Sequence, residues 1–175
     1  SRVYVEIIQN TPLVIQVFFI YNGLPALGLE LSAFQIGVLG VGIYHGAYIA
    51  EVVRTGIESI HKGQLEAAAS QGFTYVQAMA FIIIPQAVKI ILPPLTNQAV
   101  NLIKNTSVLA MIAGGDLMYH ADNWSSMTLH YGPSYVASGV LYFLLCFPLA
   151  KFARRLEEKT KETAPGIKPV TTPEV

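Results

Sequence analysis

Five polar side chains recur at three- and four-residue spacing in an otherwise apolar stretch, residues 81–113 of the chain. At about 100° per residue on an α-helix, they fall within an arc of about 120° and share one face of the helix. Amide and ammonium groups are the donors and acceptors with which a protein binds a polar solute. The five residues are Asn97, Gln98, Asn101, Lys104 and Asn105.

A lipid environment would penalise this polar face, because a Lys at the centre of a membrane helix costs roughly 2.5–3.5 kcal/mol on insertion scales. We therefore expect the face to look into a helix bundle or a water-filled cavity. Two interpretations remain open for it. The side chains either line a translocation path for a polar solute, or they hydrogen-bond neighbouring helices and hold the bundle together. Pro85, Pro93 and Pro94 predict breaks in the same helix.

A second polar group lies near the start of the chain. Glu6 precedes the sequence Asn10-Thr11-Pro12, which predicts a helix interruption, and Gln16 lies just beyond it. A broken helix can aim the free N–H groups at its new N-terminus towards an anion near the membrane midplane. We therefore add Glu6 and Gln16 to the candidate residues of a solute path.

The elements that position these residues are membrane helices. The composition is 53% hydrophobic and only 13% charged, against roughly 25% charged in soluble domains. A membrane helix needs about 20 mostly apolar residues, and four stretches can supply one. They are residues 7–29, 31–50 and 123–150, which carry no charge, and residues 81–113, whose only charged residues are Lys89 and Lys104. The sequence thus predicts an all-α polytopic membrane protein.

The distribution of basic residues gives an orientation. Lys and Arg fall before the first span, between the second and third predicted spans, and after the last one, while the connections 26–32 and 114–134 contain neither. By the positive-inside rule, both ends of the chain are cytoplasmic. The 11 basic and 11 acidic residues balance, which argues against a nucleic-acid partner.

Enzyme and metal chemistry find no support in the sequence. It contains no phosphate-binding Gly-x-x-x-x-Gly-Lys-Ser/Thr segment, no Gly-x-Ser-x-Gly elbow and no His-Glu-x-x-His pair. The four histidines are scattered, and we interpret each as an interfacial or packing residue. Glu51 and Arg54, three residues apart, predict an ion pair near the cytoplasmic boundary. We predict no catalytic residue and no metal site.

The loop at about residues 59–81, after the second span, carries the most specific spacing. Its residues 63–71 suit a short helix with small Ala side chains on its surface, Gly72 permits a turn, and residues 75–81 can start a second helix. Two such helices make a docking element with one carboxylate, Glu66, for a basic partner. From composition alone, an ordinary amphipathic interfacial loop remains the favoured interpretation.

The loop resembles the coupling motif of ABC importer permeases, which reads Glu-Ala-Ala, three residues, Gly, nine residues, Ile, any residue, Leu, Pro. The matching residues are Glu66, Ala67, Ala68, Gly72, Ile82 and Pro85, with Ile84 where Leu is usual. More narrowly, the chain resembles permeases for polar amino acids of the histidine, glutamine and arginine type. The Thr11-Pro12 segment, the helix around Glu51 and the Lys104 region carry that likeness.

This resemblance implies a type I ABC importer transmembrane domain of the MetI-like fold over residues 1–157, followed by a flexible cytoplasmic tail at 158–175. It implies a cytoplasmic ATPase dimer that binds ATP and Mg²⁺ and receives the coupling loop, so this chain itself would hold no cofactor. It also implies a second permease chain, a bacterial plasma membrane, and an external solute-binding protein that delivers an amino acid near a polar loop at 119–131. In this family, Glu66, Ala67, Ala68, Gly72 and Pro85 belong to the ATPase contact.

Two departures from the family pattern concern the solute. Gln9 and Asn10 stand where Arg-Gly is frequent, and Asn105 stands where an acid often follows the Lys. Losing that acid favours a neutral or acidic solute, such as glutamine or glutamate. The family also has helices ahead of the Glu6 region, so we expect a permease without its first helices. A passive channel or ion-coupled carrier is the rival interpretation; it explains the polar face but leaves the loop spacing unexplained.

Overall fold

The computed structural model describes residues 2–163, and every regular element in this range is a helix, which confirms the all-α prediction. The elements are α1 (Arg2–Gln9), α2 (Leu13–Ala26), α3 (Ala33–Glu58), α4 (Lys62–Ser70), α5 (Tyr75–Ala78), a π-helical turn (Met79–Ile83), α6 (Ile84–Asn105), a 3₁₀ helix (Thr106–Ile112), α7 (Leu117–Thr128) and α8 (Tyr131–Thr163).

Three helical stretches are long and apolar enough to cross a membrane, namely Ala33–Glu58, Tyr75–Ile112 and Tyr131–Lys159. The pair formed by α1 and α2 passes the same test if it counts as one broken span. The structure therefore agrees with about four spans in this chain. A π-helical turn joins α5 to α6, so the third span continues directly from the loop that precedes it.

The predicted interruption at the start of the chain is present. The axes of α1 and α2 are bent by 101°, and Pro12 stands at the N-cap of α2. Pro12 has no N–H to continue the ladder of α1, which explains why the first helix ends here. Asn10 and Thr11 turn their side chains back onto the carbonyls of Glu6 and Ile7, at 2.7 and 2.8 Å.

Prolines act differently in the next long helical stretch. The N–H of Ile84 reaches back five residues to the carbonyl of Met79, the bond of a π-turn. Pro85, which cannot supply the next backbone donor, follows at once. The predicted breaks at Pro93 and Pro94 are wrong, because α6 continues through both residues. Consecutive prolines each fix φ near −65°, a value that helices share, so a long helix tolerates them when its freed carbonyls are satisfied otherwise.

The described chain forms two compact units, the first made of residues 2–48 and 98–149. Close helix packing builds its core. A side chain at Gly40 would meet Val17 of α2, and one at Gly37 would meet Leu109 of the 3₁₀ helix. The buried core residues are Leu13, Val17, Ile36, Val41, Leu109 and Ile112.

The second unit consists of residues 49–97 and 150–163. Its core packs the C-terminal part of α3 against the start of α6, where Gly56 lies directly against Ile91. The absence of a Cβ at Gly56 is what permits this approach. The buried core residues are Val52, Ile60, Ile83, Ala87, Ile90 and Ile91.

The connection predicted as a polar loop at 119–131 is largely a helix, α7. Asp116 caps it by accepting the N–H groups of Met118 and Tyr119, a cap that stabilises even a short polar helix. Leu129, in the left-handed conformation with φ 59°, ends α7, so α8 begins at Tyr131 and not near residue 123. It continues to Thr163. The rest of the predicted tail, residues 164–175, lies outside the described residues, and the division at residue 157 stays a prediction.

Candidate functional site

The polar face of α6 divides into two stripes. At about 100° per residue, Gln98 and Asn105 lie within about 20° of each other, and both turn towards α3. The other stripe, the outer stripe, consists of Asn97, Asn101 and Lys104 and is centred about 80° away. Gln98 is buried and Asn105 half-buried, whereas Asn97 and Lys104 are exposed and Asn101 is half-buried. The two stripes therefore face different surroundings.

His45 of α3 contacts both residues of the inner stripe, Gln98 and Asn105. Its Nδ1 lies 3.3 Å from Oε1 of Gln98, and its Nε2 lies 3.2 Å from Nδ2 of Asn105. An amide oxygen only accepts and an amide NH₂ only donates, so these contacts fit the neutral imidazole with its hydrogen on Nδ1. Only 2% of the His45 surface is exposed. For Gln98 and Asn105, interhelical hydrogen bonding is thus the interpretation that the contacts support.

Sequence reasoning missed His45 as part of this site by treating all four histidines alike. The available signal was its position in the middle of an apolar span, residues 31–50. Ionisable side chains in such places face the bundle interior and have polar partners. The other histidines differ, because His61, His120 and His130 are all exposed.

An open cavity of about 360 Å³ lies beside the C-terminal end of α6. Lys104 is its one charged lining residue, and hydroxyl groups supply most of the other polar atoms. No ion pair of Lys104 is present within residues 2–159, so its ammonium group is available to a solute. The lining residues are Lys104, Ser107, Met118, Tyr135, Ser138, Gly139 and Tyr142.

Hydrogen bonds between α7 and α8 hold the wall of this cavity. Tyr142 donates to Oδ2 of Asp116 at 3.3 Å, and Tyr135 donates to Oδ1 of Asp122 at 2.8 Å. The Ser134 hydroxyl donates to the carbonyl of Ala121 at 2.7 Å. Two of the three bonds fix tyrosines that line the cavity, so its shape depends on the two carboxylates.

Gln16 bridges the break between α1 and α2. Its Nε2 donates at 2.9 Å to the carbonyl of Ile8, in the last turn of α1, and at 3.0 Å to the carbonyl of Thr11, in the break. The carbonyl of Ile8 also accepts the N–H of Thr11 at 3.4 Å. Its Oε1 is buried and has no partner among the described residues. Glu6, the other predicted residue here, is exposed. Within the described residues, no hydrogen bond or ion pair joins Glu6 or Gln16 to Asn101 or Lys104.

The predicted coupling loop forms a helix, a tight turn and a second helix start. Gly72, with φ +86°, ends α4: its N–H bonds to the carbonyl of Ala69 at 3.0 Å, and the next N–H, of Phe73, bonds to Ala68 at 3.1 Å. These two bonds define a Schellman motif, in which the residue at the Gly position is left-handed. The Gly of the coupling motif, Gly72, is thus the residue that has the positive φ.

The second helix of the loop starts with a capping box, in which Thr74 and Gln77 bond to each other's backbone N–H. The outward surface of the loop combines one carboxylate with apolar groups. Glu66 and Ala67 are exposed, Ala68 is buried, and Tyr75 and Val76 are 66% and 73% exposed. Pro85 is also exposed, at the start of α6.

Arg54 lies between two carboxylates on the C-terminal part of α3. It contacts Glu51, the predicted partner, and its Nη1 lies 2.6 Å from Oε2 of Glu58, one turn further on. Sequence reasoning missed the second carboxylate, although its i,i+4 spacing from Arg54 is favourable. The three groups form a charge cluster on a single helix.

Within the described residues, no three metal-binding side chains come together.

Comparison with known proteins places this architecture in a class. Residues 1–162 match the family described as the binding-protein-dependent transport system inner membrane component. The chain therefore belongs to this family and is a permease of the ABC transporter type. It is a membrane protein with the MetI-like fold.

Individual relatives agree with this assignment. The chain is 49% identical to a probable glutamine ABC transporter permease of Bacillus subtilis, GlnM, over 91% of this chain and 74% of that one. It is 33% identical to the arginine transport system permease ArtQ of the same organism, over 90% and 73%. A solved structure titled as an amino acid ABC transporter with histidines superposes with a TM-score of 0.85 at 38% identity, covering 90% of this chain and 74% of that one.

Proposed function

We propose that this chain is the membrane-spanning permease subunit of an ATP-driven importer of polar amino acids, with glutamine as the favoured solute. It forms part of the translocation path and takes its energy from a separate cytoplasmic ATPase dimer, which binds ATP and Mg²⁺. A solute-binding protein supplies the amino acid, and a second permease chain, identical or similar, completes the path. The protein lies in the bacterial plasma membrane with its coupling loop and C-terminus in the cytoplasm.

The coupling loop is the observation that carries this proposal. A Schellman turn at Gly72 and a capping box at Thr74 fix the loop through its own hydrogen bonds. A rigid, preorganised surface loses less entropy on docking than a flexible one. With the carboxylate of Glu66 and the apolar side chains of Tyr75 and Val76 exposed on it, the loop suits a groove with a basic group and an apolar floor.

The outer stripe of α6 supports the path. Lys104 and Asn101 belong to the stripe that makes no hydrogen bond with His45, and Lys104 borders the open cavity. In a membrane protein, an ammonium group without an ion pair is expected to face water or a polar ligand. An amino acid offers a carboxylate for this ammonium group and polar atoms for the neighbouring hydroxyl groups.

The choice of glutamine has two supports. Several relatives are named as glutamine permeases, including GlnM at 49% and GlnP of Bacillus subtilis at 35% identity. Asn105, where an acid is frequent in the resembling family, brings no negative charge to α6 and engages His45 instead. A cationic solute such as arginine would therefore find no carboxylate at this position.

Reconstitution tests the proposal. The permease is placed in proteoliposomes with its ATPase, and uptake of labelled glutamine is measured with and without ATP in the presence of the solute-binding protein. We expect uptake only with ATP. Uptake that proceeds equally without ATP, along a glutamine or ion gradient, would replace the proposal with the channel or carrier interpretation.

The coupling loop is tested in the same system. Glu66→Lys reverses the exposed charge and should abolish both ATPase co-purification and uptake while the chain still inserts. Gln64→Lys is the matched control, because position 64 lies on the opposite side of α4, about 200° from Glu66. Normal uptake in the Glu66→Lys variant would contradict the assignment of this loop.

A further inference from the structure

The position of His45 between the two amides of α6 leads beyond the proposed function, on which the following inference rests. Its ring uses both nitrogens, one for Gln98 and one for Asn105. These two residues are seven positions apart, or about 10.5 Å along the helix axis. One imidazole group of α3 therefore contacts α6 at two positions about two turns apart.

Two contacts of this kind fix how a helix is turned about its own axis. A rotation of α6 that moves the inner stripe away from α3 would break both hydrogen bonds at once. It would also leave Gln98, which is 7% exposed, as an amide without a partner in an apolar core. Such buried unsatisfied groups are strongly disfavoured.

The rotation of α6 also decides where the outer stripe points. Asn101 and Lys104 lie about 80° around the helix from the inner stripe, so any rotation that freed Gln98 would carry them away from their present direction. Apolar side chains in place of these hydrogen-bonding groups would pack as well but impose no directional requirement on the helix, because the hydrophobic effect is non-directional.

We propose that His45 is a positioning residue for the solute path: by binding Gln98 and Asn105, it holds α6 at the rotation in which Asn101 and Lys104 face the path. His45 itself does not touch the solute. Gln98 and Asn105, which the sequence groups with the path residues, act as the receiving side of this rotational lock.

The test uses thiol labelling in the reconstituted complex of permease and ATPase. Cys146 is the only cysteine and is replaced by Ala, after which Asn101→Cys supplies a probe on the outer stripe. Labelling by a charged, membrane-impermeant methanethiosulfonate then reports whether position 101 faces water. In the parent, we expect labelling that glutamine slows.

His45→Leu removes both contacts. We expect the labelling rate at position 101 to fall about tenfold, since reactivity follows the exposure of the thiolate. The transport assay uses a second protein that carries His45→Leu but keeps Asn101. For this variant we expect KM for glutamine to rise about tenfold with kcat much less affected, the pattern of lost binding. His45→Gln, which keeps one donor and one acceptor, should retain both properties.

The matched control is Tyr44→Phe. It removes the hydrogen bond between Tyr44 and Tyr48, both on α3, but leaves the contacts of His45 with α6 intact. It should label and transport like the parent. If His45→Leu does not assemble, Gln98→Leu, which removes one of the two contacts and introduces an apolar side chain at a buried position, is measured instead with the same expectation of slower labelling.

Unchanged labelling and KM in His45→Leu would overturn the proposal and leave His45 as a packing residue. The same holds for Gln98→Leu if that variant has to be measured instead. Failure of His45→Gln to retain them would overturn it as well. Labelling requires no transported solute, so it separates this inference from the proposed function. A parent that labels at position 101 but does not take up glutamine would contradict the proposed solute and leave the rotational lock standing.

Discussion

Tyr142 donates its hydroxyl hydrogen to Oδ2 of Asp116 across 3.3 Å, and the same carboxylate caps α7 by accepting two backbone N–H groups. One side chain thus stabilises the start of a short helix and ties it to α8. The cavity beside Lys104 has residues of both helices in its wall, since Met118 and Tyr142 line it. Its geometry therefore depends on a residue that does not line it.

We expect Asp116→Ala to destabilise the protein by about 0.5–2 kcal/mol, the usual cost of losing an N-cap, and to weaken glutamine binding. Asp116→Asn should remain close to the parent, because Asn is an equally good cap. Thermal unfolding in detergent measures the first effect and KM the second. Equal unfolding temperatures for the Ala and Asn variants would contradict the role of the cap.

Gly72→Ala should weaken association with the ATPase. A left-handed conformation costs a residue with a Cβ roughly 1–2 kcal/mol, although no neighbouring atom blocks the space at this position. Gly72→Asn is the matched control, since Asn adopts this conformation more readily. The amount of ATPase that co-purifies with each variant measures the effect, and we expect Asn to exceed Ala. The reverse order would show that backbone strain is not what matters there.

The glycines of α3 should differ sharply in their tolerance of a methyl group. A Cβ at Gly56 would collide with Cγ1 of Ile91, close to the backbone of α6, whereas one at Gly42 meets nothing within 4 Å. We expect Gly56→Ala to cost about 1–3 kcal/mol through overpacking. Gly42→Ala should be neutral or stabilising, because Ala favours a helix by up to about 1 kcal/mol over Gly. Unfolding curves of the two variants make the comparison.

Gln16 should matter more than an ordinary helix-surface amide. Gln16→Leu removes two hydrogen bonds at the 101° bend. The carbonyl of Ile8 keeps the N–H of Thr11, but the carbonyl of Thr11 loses its partner, so we expect a loss of about 1–3 kcal/mol, the cost of one unsatisfied group. Asn22→Ala is the control, because Asn22 also donates to a carbonyl, that of Phe18, but on the exposed surface of one helix. Similar unfolding temperatures for the two variants would contradict a bridging role.

Lys104→Met should raise KM for glutamine about 10- to 100-fold, the equivalent of the roughly 1.5–3 kcal/mol of a charge-assisted hydrogen bond. Lys104→Arg, which keeps the positive charge, should lie between this variant and the parent. Uptake kinetics in proteoliposomes with ATP measure both. If Lys104→Met transports with unchanged KM, the ammonium group does not bind the solute.

The sequence predicts elements whose cause is local. The break at Pro12, the left-handed Gly72 and the helices on either side of it follow from residue types that act over a few positions. The helix α7 is not predicted, because its residues are polar. From the sequence, its N-cap Asp116 is only one acidic residue in a connection between two spans. Pro93 and Pro94 predict breaks because the surrounding helix, which tolerates them, is not visible in the residues themselves.

The sequence predicts the polar residues of α6 as a set, but it does not predict the internal division of that set. Helical periodicity places Gln98, Asn101 and Lys104 within one arc, but it cannot say which neighbour each side chain meets. That depends on how α3 packs against α6, a contact between residues more than 50 positions apart in the chain. The same limit applies to Glu6 and Gln16, which the residue types group with α6 and which the structure leaves at the bend between α1 and α2.

The protonation form of His45 has an electrical consequence. Its neutral ring adds no formal charge to residues 33–50, which contain no other ionisable side chain apart from tyrosine. A unit charge displaced through the whole membrane field gains or loses about 2.3 kcal/mol per 100 mV, so motion of this part of α3 is electrically silent. In the proposed path, Lys104 is then the charged side chain on which the membrane field acts, since zwitterionic glutamine carries no net charge across.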